Sequence, residues 1–246
     1  LKLLTKNNLL TYNELQEYAS SEGVVVLIDK DETWTSFNVV SKLRYFSKVK
    51  KVGHAGTLDP LATGLLIIGL GKATKLMDSF QAQRKLYTGE IKIGCTTKTD
   101  DREAGEENFT DFNYVNEELI EQIRLTFLGK IKQTPPIFCA KIINGVRLYH
   151  LARKNEIVKI PEVEVEIFNF KITKIDLPLI SFEIECSKGT YIRAISRDFG
   201  KALGCGGYMH SLRREASGEY SVNDAFKINE FISILETTKD ESLQTL

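Results

Sequence analysis

Apolar positions recur along this chain with two periods, which separates strands from helices. Val24 to Asp29 is an unbroken apolar run closing on a charge and predicts a buried strand. Residues 86–94 alternate, with Tyr87, Ile91 and Ile93 on one side, and predict a second. Residues 163–187 predict two more strands, around Leu177-Pro178. Phe138 to Tyr149 carries Asn144-Gly145, a strong hairpin-turn signal. Thr11-Tyr12-Asn13-Glu14 fits a capping box, and Leu15 and Tyr18 follow at helical spacing. Ser36 is placed to cap a helix that carries Val39, Leu43 and Phe46 on one face. Asn116 is placed to cap another, ending near Gly129. Thr190 is placed to cap a third, running to Leu203 with Gly204 after it. In that last helix Ile192, Ile195, Phe199 and Ala202 form an apolar stripe. Arg193, Arg197 and Lys201 form a separate basic one, so one face is expected to pack and the other to meet phosphates. Residues 96–111 are acidic and predict an exposed loop. Strands and helices are intermixed without a βαβ rhythm, so the expected class is α+β with a mixed or antiparallel sheet.

The periodic pattern breaks at Gly53-His54-Ala55-Gly56-Thr57-Leu58-Asp59-Pro60-Leu61-Ala62-Thr63-Gly64. Three glycines, a proline and two threonines here predict neither helix nor strand. Asp59 precedes Pro60, which pushes its backbone toward an extended conformation. The apolar run Leu65-Leu66-Ile67-Ile68 follows and anchors the loop in a core. A stiff polar loop tied to a buried element is a common way to present a reactive group. Taken alone, such a loop is more often an ordinary turn.

Composition adds bounds. A chain of 246 residues buries a sizeable core as one large domain or two smaller ones. Hydrophobic content of 42% and charged content of 27% are ordinary for a soluble globular protein. No apolar run has the length that spans a bilayer, and the first residues hold too short an apolar stretch for a signal peptide. The expected location is the cytoplasm, with no membrane partner. Cys95, Cys139, Cys186 and Cys205 form no C-x-x-C pair, and His54, His150 and His210 lack metal-ligand spacing. Reduced thiols and no metal are expected. Net charge is zero, yet charge is segregated. Lys42, Arg44, Lys48, Lys50 and Lys51 stand in residues 42–58 without an acid. Residues 188–214 hold six basic residues against Asp198 alone, and residues 100–118 hold eight acids against Arg102. Segregated basic segments suit a nucleic-acid partner, although such runs are often only solvated faces.

The stretch GHAGTLDPLATGLL resembles the signature of the TruB family of tRNA pseudouridine synthases, usually GH-small-G-x-LDP-x-A-x-G. Lys85-Leu86-Tyr87 resembles the family's K-x-Y segment, Lys188-Gly189-Thr190-Tyr191-Ile192-Arg193 its KGTYIR motif, and Leu212-Arg213-Arg214 its L-R-R segment. The four motifs occur in family order and cover roughly residues 23 to 225.

The resemblance implies the pseudouridine synthase fold, a central mixed sheet with flanking helices and a cleft. It implies that uridine 55 in the T-loop of tRNA is flipped out, detached from its ribose, rotated and rejoined through C5, without cofactor or metal. Asp59 matches the catalytic aspartate, as nucleophile or as base. Arg193 matches the arginine that pairs with it, and Tyr87 the tyrosine that stacks on the target base and takes the C5 proton. His54 matches the histidine that fills the space the base leaves. Tyr191 and Leu212 match residues lining the uracil pocket, and Lys75 is placed to contact RNA backbone. The expected organisation is a helical arm (1–22), a catalytic domain (23–225) and a C-terminal helix and tail (226–246) without the PUA domain many members carry. The expected partner is the tRNA T-arm, bound by a monomer. Asp29-Lys30-Asp31-Glu32-Thr33-Trp34-Thr35-Ser36 departs from the family's D-K-P-x-G-x-T-S, lacking the Pro and the Gly. A different class, a non-catalytic RNA-binding chaperone, suits the basic segments equally well. Asp59 discriminates, because a pure binder gains nothing from a carboxylate facing phosphates.

Overall fold

The structure is a computed structural model that describes residues 1–139, 142–143, 146–147 and 160–244. In chain order the first elements are β1 (Lys2–Leu4), α1 (Tyr12–Ser21), β2 (Val24–Lys30), α2 (Ser36–Ser47), β3 (Val52–Ala55) and β4 (Thr63–Leu70). A 3-10 turn (Gly71–Leu76) leads to α3 (Met77–Gln81), β5 (Lys85–Ile93), β6 (Thr96–Thr97), β7 (Glu106–Glu107), α4 (Glu117–Leu125) and β8 (Gly129–Gln133). Then come β9 (Ile142–Ile143), β10 (Val146–Arg147), β11 (Val163–Asp176), β12 (Leu179–Cys186) and α5 (Ile192–Ala202). The last are β13 (Gly207–Ser217), β14 (Tyr220–Ser221), β15 (Phe226–Lys227) and α6 (Ile228–Gln244). Among the described residues the main sheet has eleven strands, parallel and antiparallel, so the chain is α+β as its pattern predicts. Two compact units divide the chain: Leu1–Tyr87 with Arg213–Leu246, and Thr88–Leu212.

The first unit is built around β2. Every residue of β2 is buried, which is why Val24 to Ile28 read as one continuous apolar run rather than an alternating one, ahead of buried Asp29 and Lys30. It pairs antiparallel with β4 from Val24↔Leu70 to Lys30↔Gly64, and parallel with β1 and β15. The end of β13 lies parallel to the start of β4, with Arg214 opposite Gly64. A Cβ on Gly64 would stand 2.3 Å from the Arg214 carbonyl oxygen, so this position requires glycine. Residues 53–64 are less irregular than their composition predicts. His54 sits in β3 opposite Ile68, and only the residues between β3 and β4 form loop. Strand pairing uses backbone groups, which glycine supplies as well as any residue. The capping box at Thr11 forms as expected. The α2 cap is Thr35 rather than Ser36: Thr35 Oγ1 accepts from Asn38 N at 3.0 Å. Val39 and Leu43 are buried as expected, and Phe46 is half-buried.

In the second unit β11 pairs antiparallel with β12 and with β8. Phe170, Phe182 and Phe199 are at most 1% exposed and form an aromatic core with Phe127. Ile192, Ile195 and Phe199 bury one side of α5, whereas Ala202 is exposed, so the apolar stripe stops a turn early. Thr190 does not cap α5; its hydroxyl donates to the Ser187 carbonyl at 2.9 Å, and Tyr191 stands at the N-cap. Asn116 caps α4 as expected, accepting from Leu119 N at 2.9 Å. The acidic segment 96–111 is not wholly an exposed loop: β6 and β7 pair in it, and Asp101 is buried. β9 and β10 pair antiparallel across a two-residue connection, and Asn144-Gly145 itself lies outside the described residues.

Candidate active site

Asp59 opens a tight turn in which Ala62 N donates to the Asp59 carbonyl at 3.1 Å, with Pro60 at the position proline favours. The peptide groups on either side of Asp59 are fixed by the segment that leads into α2. On one side, buried Ser36 Oγ accepts from Leu58 N at 2.9 Å and donates to the Leu58 carbonyl at 3.2 Å. On the other, the Pro60 carbonyl accepts from Thr33 N at 2.9 Å and from Lys30 Nζ at 3.2 Å. At the mouth of the loop, buried Arg214 donates to the Gly56 carbonyl at 3.1 Å and the Leu65 carbonyl at 2.7 Å. The carboxylate is thus carried on a backbone held at four neighbouring positions, consistent with the stiff loop read from its composition.

Lys30 is fully buried, and its ammonium also donates to the carbonyls of Asp31 (3.0 Å) and Trp34 (2.6 Å). Burial pushes its pKa down to about 8, against the opposing pull of Asp59, Asp31 and Glu32. Lys30 thus adds positive charge in the electrostatic field of Asp59. Burial and the Arg214 guanidinium lower the His54 pKa, a backbone hydrogen bond at Gly56 opposing them. The His54 Nδ1 is buried without a hydrogen-bond partner. A neutral, partly desolvated ring suits a stacking role better than a general acid. Tyr87 is buried in β5, and Lys75 is exposed in the 3-10 turn.

The first unit therefore holds His54, Asp59, Lys75 and Tyr87, and the second holds Tyr191, Arg193 and Leu212. Arg193 is 5% exposed and lies 3.4 Å from Asp101, itself 2% exposed. Its guanidinium also donates to the carbonyls of Thr99 (3.0 Å) and Phe138 (2.9 Å). Asp101 accepts from the Thr99 hydroxyl (2.6 Å) and from Glu103 N (2.9 Å). Tyr191 is fixed by buried Gln133, which accepts from its N–H at 2.8 Å and donates to its carbonyl at 3.0 Å. Leu212 is buried near the end of the unit.

The basic face expected on α5 is largely turned to protein. Arg193 is buried, and Arg197 binds Asp100, Asp198 and the Thr134 carbonyl. Lys201 is exposed. Arg213 grips Asp29 through two hydrogen bonds, and Arg214 is buried. Sequence reading missed the partners that hold these groups: Lys30, Ser36, Asp101 and Gln133. Only Lys30 and Ser36 lay in a motif that sequence alone marks out. Asp101 was hidden in an acidic run, where one buried carboxylate looks like its solvated neighbours. No group of three His, Cys, Asp or Glu among the described residues is arranged to hold a metal ion. No described helix is long and apolar enough to cross a membrane.

Residues 44–192 match the family model described as TruB family pseudouridylate synthase (N terminal domain). Residues 193–246 match the tRNA pseudouridylate synthase B C-terminal domain. Among curated relatives, the tRNA pseudouridine synthase B of Flavobacterium johnsoniae is 46% identical over 230 residues, 91% of this chain and 97% of that protein. That of Parabacteroides distasonis is 43% identical over 220 residues, 87% of this chain and 94% of its own. A chain from a crystal structure of a Cbf5–Nop10–Gar1 complex superposes with a TM-score of 0.69 at 25% identity. That match covers 90% of this chain and 56% of the other. The fold is thus that of the pseudouridine synthases, and with family and relatives agreeing over most of its length, the chain belongs to the TruB family of pseudouridylate synthases.

Proposed function

We propose that this chain converts uridine 55 in the T-loop of tRNA to pseudouridine, with Asp59 as the reacting carboxylate. The observation that carries the reading is the fixation of Asp59 between the held peptide groups of Leu58 and Pro60. Such pre-organisation is what a reacting group needs and what a simple RNA contact does not. The similarity to proteins named tRNA pseudouridine synthase B supplies the substrate class.

The target uridine leaves its stack at a cost of a few kcal/mol. In this reading His54 lowers that cost by filling the vacated space, and its neutral ring stacks on the bases left behind. The Asp59 carboxylate attacks the ribose as nucleophile or removes a proton from it as base, and the bond from C1′ to N1 breaks with its electron pair leaving on the uracil. Arg193 serves as the cation facing Asp59 in the reacting complex. Lys30 contributes a second positive charge to the same carboxylate. Tyr191 and Leu212 wall the detached uracil away from water, which would otherwise capture the ribose and leave an abasic site. After the base rotates, C5 bonds to C1′ as the bond to Asp59 breaks, or as the proton Asp59 took returns to the ribose; Tyr87, stacked on the base, takes the C5 proton, and N1 gains one. Lys75, exposed, contacts the RNA backbone. No step changes oxidation state. The protein works as a monomer in the cytoplasm.

The test is to incubate the protein with an unmodified tRNA transcript and map pseudouridine along it. Modification confined to position 55 supports the reading. Modification at another uridine overturns the site, and no modification at micromolar protein overturns the activity.

A further inference from the structure

The segment from Asp29 to Ser36 lacks the proline and glycine of the family pattern, with Asp31 and Thr33 in their places. Thr33 has φ 70°, in the left-handed region that glycine enters freely and a β-branched residue rarely adopts. This strained residue is also the one whose N–H holds the Pro60 carbonyl beside Asp59. Proline would fix its own backbone angle through its ring, and aspartate cannot. A different restraint is present. Lys227 Nζ lies 2.6 Å from Asp31 Oδ1 and 2.9 Å from Asp29 Oδ2. Parallel pairing of β15 with β2 places Lys227 directly opposite Asp29. Asp29, 11% exposed at its side chain, also takes the two hydrogen bonds of Arg213. Burial would raise the Asp29 pKa, but its bonds to Arg213 and Lys227 outweigh burial and hold it down.

We propose that Lys227 is a positioning residue for Asp59: its ammonium bridges Asp29 and Asp31 and closes the turn whose Thr33 N–H and Lys30 ammonium hold the Pro60 carbonyl. An isolated exposed ion pair contributes little. Here one ammonium joins two carboxylates two residues apart, one of them largely buried, and strained Thr33 follows two residues after the second. The ion bridge does in this chain what a rigid ring does in the family pattern. The proposal rests on the reading of Asp59 as the reacting carboxylate.

The experiment compares the parent with Lys227→Met, Lys227→Arg and Asp31→Asn. Single-turnover rate at saturating tRNA, tRNA affinity and backbone amide exchange are read for each. Lys227→Met is expected to slow the rate about tenfold, leave affinity within about twofold, and speed exchange at Thr33 and Leu58. Lys227→Arg is expected to restore most of the rate, and Asp31→Asn to reproduce part of the loss. A loss confined to affinity would make Lys227 a phosphate contact and overturn the proposal. Parental rate and parental exchange in Lys227→Met, with the parent active, would overturn the bridge alone. A parent that forms no pseudouridine would overturn the reading of Asp59 and the proposal with it.

Discussion

Asp101→Ala tests whether the buried pair with Arg193 is a structural hinge of the second unit. The substitution removes an ion pair at 3.4 Å and two further hydrogen bonds, from the Thr99 hydroxyl and the Glu103 N–H. Breaking a buried pair from one side costs about 3–5 kcal/mol. Arg193 keeps the carbonyls of Thr99 and Phe138, which cushion its charge. The expected loss is therefore at the lower end, about 3 kcal/mol. Asp101→Asn keeps an acceptor for Thr99 and Glu103 but loses the charge facing Arg193. Its expected loss is smaller, about 2 kcal/mol, the scale of one charge-assisted hydrogen bond. Urea unfolding followed by circular dichroism measures both. Fluorescence would not, because the single tryptophan, Trp34, is in the first unit. A destabilisation under about 1 kcal/mol for Asp101→Ala, at unchanged denaturant slope, would refute the assignment of a buried ion pair.

Asp59→Asn is expected to fold, bind tRNA and form no pseudouridine; activity within about tenfold of the parent, a barrier change near 1.4 kcal/mol, would show that the carboxylate is not central. Arg193→Lys is expected to be slow in single turnover although charge is kept, because an ammonium cannot reproduce a planar fork already engaged with Asp101, Thr99 and Phe138. A parental rate would remove that role. Lys30→Met is expected to destabilise, and the gap to the parent is expected to widen between pH 8 and 10. The sign follows from the lowered pKa of about 8: the unfolded chain binds more protons than the folded one across that window, so the parent gains stability as pH rises and the variant does not. A gap that narrows with pH in urea titrations would contradict the burial of a charged Lys30.

The features legible in the sequence were those set by local chemistry. The capping box at Thr11 and the Asn116 cap depend on neighbours within a few residues, and β2 shows in its own apolar run. The Asp59 turn follows from Pro60 and the flanking glycines. What sequence missed was set by distant partners. Thr35 caps α2 because the Ser36 hydroxyl is occupied by Leu58, twenty-two residues away. Propensity alone gives no reason to prefer one hydroxyl over its neighbour. The face of α5 was misjudged for the same reason. A basic stripe looks free until acids arrive from elsewhere, and Asp100 and Asp101 arrive from a segment nearly a hundred residues earlier.

This bears on how charge is to be read in the site. Zero net charge hides two kinds of basic residue. Arg193, Arg197, Arg213 and Arg214 are tied to carboxylates or carbonyls, so they set geometry and the potential around buried groups. Lys48, Lys50, Lys51, Lys75 and Lys201 are exposed and remain the candidates for phosphate. Salt separates the two roles, because screening weakens exposed charges far more than buried ones. Rising ionic strength should therefore lower tRNA affinity first, leaving the rate of the bound complex nearly unchanged. The slope of log affinity against log salt then counts the exposed lysines in contact, about 0.7 to 0.9 for each phosphate neutralised. A rate at saturating tRNA that fell in step with affinity would place the salt-sensitive charges in the Asp59 loop itself, and the division between fixed arginines and exposed lysines would be wrong.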